Sequence, residues 1–185
     1  MRKSIIIEAR MNSSRLPGKH CYKIFNKKII EYLIIRLKKV KHANDIILAT
    51  TKNKSDDILV KISKKHKIKY FRGSEHNVMQ RVLLAAQKNR TDIIVSITAD
   101  CPLIDPALID QCIQCFNYND CDYVNNSIVP SFPGGMNCQV YYTNILKKSY
   151  SSTKTKLHRE HVTLEIIQSK NKYKHLYLMA PTNLH

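Results

Sequence analysis

Apolar runs and amphipathic stretches alternate along the first 120 residues. Continuous apolar runs predict buried strands at residues 4–9, 45–51 and 92–98, with a shorter strand at 69–71. Apolar residues at helical spacing predict the intervening helices, at residues 28–41, 55–66, 74–89 and 106–116. Because strands and helices alternate, we expect an α/β protein with three α/β/α layers and a mainly parallel sheet.

The pattern is less regular after residue 120. A loop rich in Pro and Gly at 129–135 precedes a predicted strand at 138–142, and a helix is predicted from residue 144. Further along, the sequence predicts a helix at 158–169 and a strand near 175–179. The sequence contains neither an internal repeat nor a low-complexity linker, so residues 1–185 are predicted to form a single domain.

Charge and composition leave two interpretations of the chain's basicity. The net charge is +17 and the pI is near 9.7, which would suit a polyanionic partner such as nucleic acid. However, the lysines are spread over every predicted helix, which is typical of solvated helix faces, and we therefore favour compositional drift over nucleic-acid binding. Without a long apolar run or a signal peptide, a cytoplasmic protein that does not enter membranes is expected.

The six cysteines are predicted to be reduced thiols, since no secretory signal accompanies them. Cys112 and Cys115 have the CxxC spacing, but the sequence has no second pair to complete a zinc site. They also fall inside a predicted helix, not at the helix N-terminus where a redox thiolate is stabilised. Helix packing is therefore favoured over metal or redox chemistry.

Positive charge is concentrated in the loop that follows the first predicted strand. Arg10, Arg15 and Lys19 alternate there with Ser13, Ser14 and Gly18. Small residues allow backbone N–H groups to turn inward around anionic oxygens, and arginines add forked contacts. The loop matches neither the Walker A nor the dinucleotide-binding glycine motif. A polyphosphate site is predicted, and the alternative is a solvated basic loop.

Asp100 directly follows the apolar strand predicted at residues 92–98. The carboxyl ends of parallel strands meet at one edge of a sheet, so Asp100 should lie near the basic loop. A carboxylate there could hold Mg²⁺ together with substrate phosphates. The alternative is an aspartate that caps the turn before Pro102.

Several sequence blocks identify a resemblance to a known family. RMNSSRLPGK resembles the A-R-x-x-S-x-R-L-P-x-K signature of nucleotidyltransferases that make CMP-activated sugars. ATTKNKSDD, FRGSEHNVMQR, ITADCPLIDP and REHVT are similar to successive blocks of the SpsF-like cytidylyltransferases of spore-coat polysaccharide biosynthesis. That branch is related to 3-deoxy-manno-octulosonate cytidylyltransferase, and the resemblance runs from about residue 5 to about residue 184.

The resemblance implies a glycosyltransferase-A-like nucleotide-diphospho-sugar transferase fold and attack of a sugar hydroxyl on the α-phosphate of CTP. By position in the motifs, Arg10, Arg15 and Lys19 would be the catalytic residues and would hold the triphosphate. Asp100 would bind the cofactor Mg²⁺. The implied nucleotide-binding residues are Ala9, Met11, Ser13, Ser14, Arg72, Gly73, Ser74 and Ala99. The implied acceptor-binding residues are Asn137, Gln139 and His161. The expected partners are CTP, a sugar or sugar-acid acceptor, and a second copy in a homodimer.

This chain departs from the family pattern where the acceptor is expected. Gly134, Asn137 and Gln139 stand at positions that are usually acidic, and Ser96 stands where relatives often carry arginine. The loss of negative charge predicts a more acidic acceptor or weaker activity, and the alternative function is a catalytically impaired relative that binds nucleotide or a partner. The family's C-terminal segment is also expected to be missing after residue 185.

Overall fold

The computed structural model describes residues 1–13 and 16–184. Within these residues, seven strands form one sheet in the order β5-β4-β1-β6-β8-β7-β9. The two remaining strands, β2 and β3, form a separate hairpin. The strands are β1 (Lys3–Glu8), β2 (Lys23–Ile24), β3 (Lys27–Lys28), β4 (Asp45–Thr51), β5 (Lys69–Gly73), β6 (Ile93–Thr98), β7 (Tyr123–Asn125), β8 (Gln139–Tyr142) and β9 (His175–Tyr177).

Helices follow most of the strands and cover the sheet. They are α1 (Ile29–Leu37), α2 (Asp57–Lys65), α3 (Val78–Lys88), α4 (Pro106–Tyr118), α5 (Thr143–Ser152), α6 (Lys156–Glu160) and α7 (Leu164–Gln168). Two short 3-10 helices, Lys19–Cys21 and Lys54–Asp56, lie in the segments after β1 and β4. The order predicted for the first 120 residues is confirmed apart from the hairpin of β2 and β3, which the sequence did not predict.

The sheet is mixed because its second half reverses direction. β5, β4, β1 and β6 run parallel to one another. β8 runs antiparallel to both of its neighbours, β6 and β7, and β7 pairs in parallel with β9. The carboxyl ends of β1 and β6 therefore lie side by side at one edge, as expected for the basic loop and Asp100.

Two hydrophobic clusters on opposite faces of the sheet make the fold a three-layer structure. Adjacent residues of β1 contribute to different clusters, Ile5 to one and Ile6 to the other, because successive side chains of a strand point to opposite faces. The first cluster contains apolar side chains of α1, α2 and α4, and the second contains those of α3, α5 and α7. The predicted three-layer α/β/α arrangement is confirmed.

Two helix predictions were wrong in detail. The helix predicted at 158–169 is broken between α6 and α7, where His161 has an extended conformation (φ −98°, ψ 93°) and Val162 and Thr163 are buried. Ser74 does not cap α3; the Asn77 side chain does so, accepting from the N–H of Gln80 at 2.9 Å. The break follows from the burial of Val162 and Thr163. Ser74 instead lies in the turn before α3, where its hydroxyl accepts from the N–H of Asn77 at 3.1 Å.

The structure also bears on the membrane and cysteine predictions. Among the described residues, no helix combines the length and the apolarity needed to span a membrane. The cysteines are free thiols. Cys112 is fully buried in a hydrophobic cluster and Cys115 packs against that cluster from α4, which confirms helix packing as the role of this pair.

Candidate functional site

The loop after β1 is closed by a backbone hydrogen bond and held to the 3-10 helix that follows β4. Gly18, at φ 73°, donates its N–H to the carbonyl of Met11 at 2.8 Å. A residue with a side chain would be strained at this φ. The N–H of Met11 in turn donates to Asp56 Oδ1 at 2.8 Å. The loop is therefore held at both ends before any ligand binds.

Asp56 anchors this loop, and the sequence did not single it out. Its Oδ2 accepts from the hydroxyl of Thr50 at 2.8 Å and that of Thr51 at 2.6 Å. Burial opposes the charged form, but these bonds and the N–H of Met11 outweigh it and lower the pKa of Asp56. The available signal was the polar pair of threonines that ends an otherwise apolar strand.

Lys19 and Asp100 meet at the carboxyl ends of β1 and β6, as the sequence predicted. Lys19 Nζ lies 2.6 Å from Asp100 Oδ2, and both side chains are partly exposed. Burial opposes ionisation of Asp100, yet the hydrogen bonds from Lys19 and Thr98 lower its pKa. The carboxylate is therefore ionised and can exchange the lysine for another cation.

A cavity of about 260 Å³ opens beside this ion pair, and we call it the cationic cavity. Its walls carry three cations, Arg10, Lys19 and Arg81, together with the predicted residues Ala9, Ser13, Ala99 and Asp100. The rest of the lining consists of Glu8, His20, Val78, Thr98, Glu160 and His161. Most of the predicted triphosphate and nucleotide residues that the structure describes thus surround one space.

Arg10 and Arg81 are held differently at this cavity. Arg10 donates to the carbonyl of Glu75 at 3.2 Å, and its guanidinium lies 3.6 Å from the Glu160 carboxylate. Arg81 is only 2 % exposed and donates to the carbonyls of Ser74 and Glu75. Its Nε has no partner among the described residues. Arg81 was missed in the sequence because it lies inside a helical pattern.

The residues expected near the base or ribose, Arg72, Gly73 and Ser74, do not line the cationic cavity. Arg72 braces the segment after β4 through the carbonyl of Thr51 and the carboxylate of Asp57, at 2.8 and 2.6 Å. A Cβ at Gly73 would lie 3.0 Å from Arg81 Cγ, so glycine leaves room for the arginine. Gly73, together with the carbonyl of Ser74, therefore positions Arg81.

A second cavity, of about 310 Å³, adjoins the first, and we call it the amide cavity. It brings together the three predicted acceptor residues, Asn137, Gln139 and His161. It shares Glu8, Thr98, Glu160 and His161 with the cationic cavity, and its remaining lining is Ser96, Val162, Thr163, Leu164 and Ile167. Ligands bound in the two cavities would therefore contact each other beside the residues that both cavities share.

Gln139 is fixed on the wall of the amide cavity by two hydroxyl groups. Its Oε1 accepts from Thr163 at 2.6 Å and from Tyr123 at 3.0 Å. Thr163 reaches this position because the chain breaks between α6 and α7. Ser96 is directly opposite Gln139 in the register of β6 and β8, so both departures from the family pattern lie side by side.

Glu8, the last residue of β1, forms part of the wall common to both cavities. Its Oε1 accepts from the hydroxyl of Ser96 at 2.8 Å. Burial raises the pKa of Glu8, while the Ser96 hydrogen bond and the charge of Arg81 act in the opposite direction. The sequence did not reveal this carboxylate because it ends a strand that is otherwise apolar.

Of the loop residues with a predicted role, two are not described by the structure and one lines neither cavity. Ser14 and Arg15 lie outside the described residues. Met11 lines neither cavity, since its side chain packs against a hydrophobic cluster and its backbone closes the loop. Its contribution is therefore to the loop's shape.

Asp100 fits one mode of magnesium binding. Within residues 1–13 and 16–184, no group of three or more His, Cys, Asp or Glu side chains could form an all-protein metal site. Mg²⁺ commonly uses one or two carboxylates and takes its other ligands from water and substrate phosphates. An ionised Asp100 beside three cations that can hold phosphates suits that arrangement.

Comparison with known proteins agrees with this fold. The sequence profile of the cytidylyltransferase family matches residues 4–183. The spore coat polysaccharide biosynthesis protein SpsF of Bacillus subtilis is 31% identical over 181 residues, which are 95% of this chain and 74% of that protein. The 3-deoxy-manno-octulosonate cytidylyltransferase of Solibacter usitatus is 32% identical over 111 residues, 58% of this chain and 42% of that enzyme.

A solved structure is similar over almost the whole chain. The structure of a cytidylyltransferase from Leptospira borgpetersenii superimposes with a TM-score of 0.95 at 32% identity, over 99% of this chain and 78% of that one. The fold and its relatives define a nucleotidyltransferase with the nucleotide-diphospho-sugar transferase fold. Specifically, the chain belongs to the cytidylyltransferase family.

Proposed function

We propose that this enzyme transfers CMP from CTP to a hydroxyl group of a sugar or sugar acid and releases pyrophosphate. The observation that carries the proposal is the pair of adjoining cavities, one with three cations and the other with amide and hydroxyl groups. A triphosphate suits the first and a polyhydroxylated acceptor suits the second. Membership of the family supports CTP as the nucleotide.

The reaction requires the acceptor in one cavity to contact the nucleotide in the other, beside the residues that both cavities share. The acceptor oxygen attacks the α-phosphorus, a new P–O bond forms, and the bond to the bridging oxygen breaks as pyrophosphate leaves. The hydroxyl proton passes to solvent or to a nearby base. Such transfers depend on positioning and on charge neutralisation, and they require no protein nucleophile.

The cations of the first cavity have separable roles in this proposal. Lys19 is a point charge on a partly exposed stem, so it can leave Asp100 and follow a phosphate. Arg10 offers a fork at the loop, where Glu160 now holds it. Arg81 is almost completely buried and is therefore a fixed positive charge behind the other two.

Mg²⁺ is the proposed cofactor, held by Asp100 and by phosphate oxygens. When bound, it would neutralise charge on the triphosphate and the leaving pyrophosphate. Asp100 would give up its ion pair with Lys19 for this role, so carboxylate and lysine would each gain a new partner. An aspartate carboxylate is ionised at neutral pH even without the lysine, and the charge of Mg²⁺ would favour that ionised form.

The biological setting is inferred from the chemistry and from one relative. CMP-activated sugars are donors for polysaccharide assembly, and the similarity to SpsF supports a role in surface polysaccharide biosynthesis. CTP is a metabolite of the cytoplasm, so we also propose that the reaction takes place there.

Nucleotide-dependent thermal stabilisation and pyrophosphate release test the proposal. At 100 times Kd, a ligand that binds only the folded state stabilises it by about 2.7 kcal/mol, which corresponds to roughly 5–10 °C for a chain of this size. We expect CTP with Mg²⁺ to exceed ATP, GTP and UTP in this shift. An absence of any nucleotide-dependent shift would contradict the proposal.

A second candidate function is nucleotide binding without turnover. The amide cavity favours it, because Asn137 and Gln139 present uncharged amides there at positions that are usually acidic in the family. This candidate predicts stabilisation by CTP with no pyrophosphate release for any acceptor. Release above the rate without acceptor would exclude it.

A further inference from the structure

The hairpin of β2 and β3, at residues 23–28, presents large apolar side chains to solvent. Phe25 at its tip is 94% exposed, and Tyr22 and Ile24 beside it are about half exposed. Protein surfaces normally carry such residues singly, whereas apolar side chains that adjoin one another are typical of interaction surfaces. The hairpin is therefore a candidate docking element outside the two cavities.

The backbone at the tip of this hairpin is strained. Phe25 has φ 52°, in the left-handed region that residues with large side chains rarely adopt. The hairpin is nevertheless firmly held, because the carbonyl of Ile24 accepts from the Tyr32 hydroxyl at 2.8 Å. In addition, the N–H of Ile29 donates to the carbonyl of Tyr22 at 2.9 Å. Phenylalanine at the tip lowers the stability of the chain, and strain that persists in a well-held segment points to a function.

The hairpin also holds like charges opposite each other. Lys23 pairs with Lys28 in its ladder, and Ile24 pairs with Lys27. Like charges directly opposite each other destabilise a pair of strands. Among residues 1–13 and 16–184, no carboxylate forms an ion pair with any of these three lysines. Since the sequence from residue 9 to residue 30 contains neither Asp nor Glu, the positive charge of the hairpin is not compensated nearby in the chain.

Lysines of α2 extend this positive surface. Lys65 Nζ lies 2.7 Å from the Oε1 of Glu31, in the first turn of α1, and α1 begins directly after β3. Lys61 shares a face of α2 with Lys65, because it lies four residues earlier in the helix, and both lysines are exposed. Glu31 is almost completely buried and is also contacted by His66, so its charge is compensated within the fold. Lysines from two elements therefore lie around the base of the hairpin.

An anionic lipid surface fits this combination of charge and apolar side chains. Acidic headgroups attract lysines, and the boundary between headgroups and acyl chains accommodates exposed aromatic and aliphatic side chains. A nucleic acid would attract the lysines but has no apolar region for Ile24. A second copy of this chain, docked through the same hairpin, would bring lysines against lysines.

We propose that the hairpin at residues 23–28 binds the surface of an anionic membrane, with Phe25 and Ile24 inserted among the headgroups and the lysines against their acidic groups. In this arrangement the protein lies on the membrane and needs no spanning segment. Shallow insertion of one hairpin tip thus replaces the expectation of a protein that does not enter membranes. The inference is independent of the nucleotide and the acceptor, because no residue of the hairpin lines either cavity.

Co-sedimentation of the full chain with lipid vesicles tests the inference. Vesicles of phosphatidylglycerol and phosphatidylcholine in equal amounts are compared with vesicles of phosphatidylcholine alone, at low and at high salt. We expect the partition coefficient at low salt to be at least about tenfold larger on the anionic vesicles, and to fall as salt screens the lysines. Equal binding to both compositions, or no binding to either, overturns the inference.

Phe25→Asn separates the surface role of the side chain from its part in the fold. Asparagine tolerates a positive φ, so the melting temperature should equal or exceed that of the unmodified protein. The partition coefficient on anionic vesicles should nevertheless fall about tenfold, because one large apolar side chain no longer inserts. The matched control is Tyr118→Asn at the end of α4, where another aromatic side chain is 84% exposed, and its binding should not change. Unchanged binding of Phe25→Asn, or an equal loss in both variants, contradicts the inference.

A pair of double variants tests the charge. Lys23→Gln with Lys27→Gln changes the hairpin, and Lys147→Gln with Lys148→Gln changes α5, which covers the opposite face of the sheet from α1. Each double variant lowers the net charge from +17 to +15. We expect the hairpin variant to reduce the partition coefficient roughly tenfold and the α5 variant to reduce it less than about twofold. Equal losses would show that binding depends on overall charge, and tighter binding of the unmodified protein to duplex DNA than to the anionic vesicles would assign the hairpin to nucleic acid. Either result overturns the inference.

Discussion

The cationic cavity and the amide cavity share the wall that contains Glu8 and His161, yet their other walls hold opposite kinds of side chain. In the first, the basic residues expected from the motif, Arg10 and Lys19, lie around one space with Asp100. In the second, amides occupy positions where charge was expected. Nucleotide handling can thus stay constant while the neighbouring wall changes to suit another acceptor.

The largest effect is expected from removing the charge of Lys19, the cation that pairs with Asp100 in the cationic cavity. Lys19→Met keeps the length of the side chain but removes its charge. We expect kcat/KM for CTP to fall about 100-fold, as on removing a group that stabilises charge in a transition state. Stability should change by less than about 1 kcal/mol, because the Lys19–Asp100 ion pair is partly exposed.

Lys174→Met provides the matched control for this prediction. Lys174 also forms an ion pair with an aspartate, Asp120, but at the amino ends of β7 and β9. Steady-state pyrophosphate release and thermal melts on both variants separate the two roles. If both variants lost activity equally, or if Lys19→Met kept full activity, the assignment of Lys19 to the triphosphate would be wrong.

The first cavity was largely predictable because strand ends obey a general rule. An apolar run predicts a buried strand, and the residues just after parallel strands lie at a common edge of the sheet. The basic loop and Asp100 could therefore be placed together from residues 4–9 and 92–98 alone. The same rule predicted β4, whose bounds, Asp45–Thr51, agree with the structure.

The second cavity was less predictable because it depends on chain segments without a repeating pattern. The strand β7 is three residues long, and the break between α6 and α7 exists because Val162 and Thr163 pack inward. The roles of Glu8 and Arg81 depend on which way a strand or helix residue faces after packing. A charged residue at a buried position interrupts the hydrophobic pattern, but the pattern does not show which residues it will contact in the fold.

A smaller effect should come from returning a charge to the amide cavity. Gln139→Glu preserves the shape and can still accept from Thr163 and Tyr123. An added carboxylate should raise about tenfold the ratio of kcat/KM for a neutral sugar to kcat/KM for the corresponding uronic acid, because it repels the carboxylate of the acid. Gln87→Glu, on the exposed face of α3, is the control for added charge. A ratio that does not rise in Gln139→Glu would show that the acid's carboxylate does not approach this residue.

The smallest expected effect concerns stability, and it tests whether Glu8 is as buried as the wall between the cavities requires. Burial raises its folded-state pKa above the ordinary value of 4.5, and Ser96, Arg81 and His161 oppose the rise, while Asp100 adds to it. Between those two pKa values the folded state binds more protons, so stability falls as pH rises. Glu8→Gln lacks this loss, so its Tm relative to that of the unmodified protein should rise from pH 4.5 to pH 8. Ser96→Ala, which removes the opposing hydrogen bond, should instead steepen the fall. Thermal melts of the three proteins across this range measure the effect, and a Tm difference that is constant with pH would place Glu8 in a solvated environment.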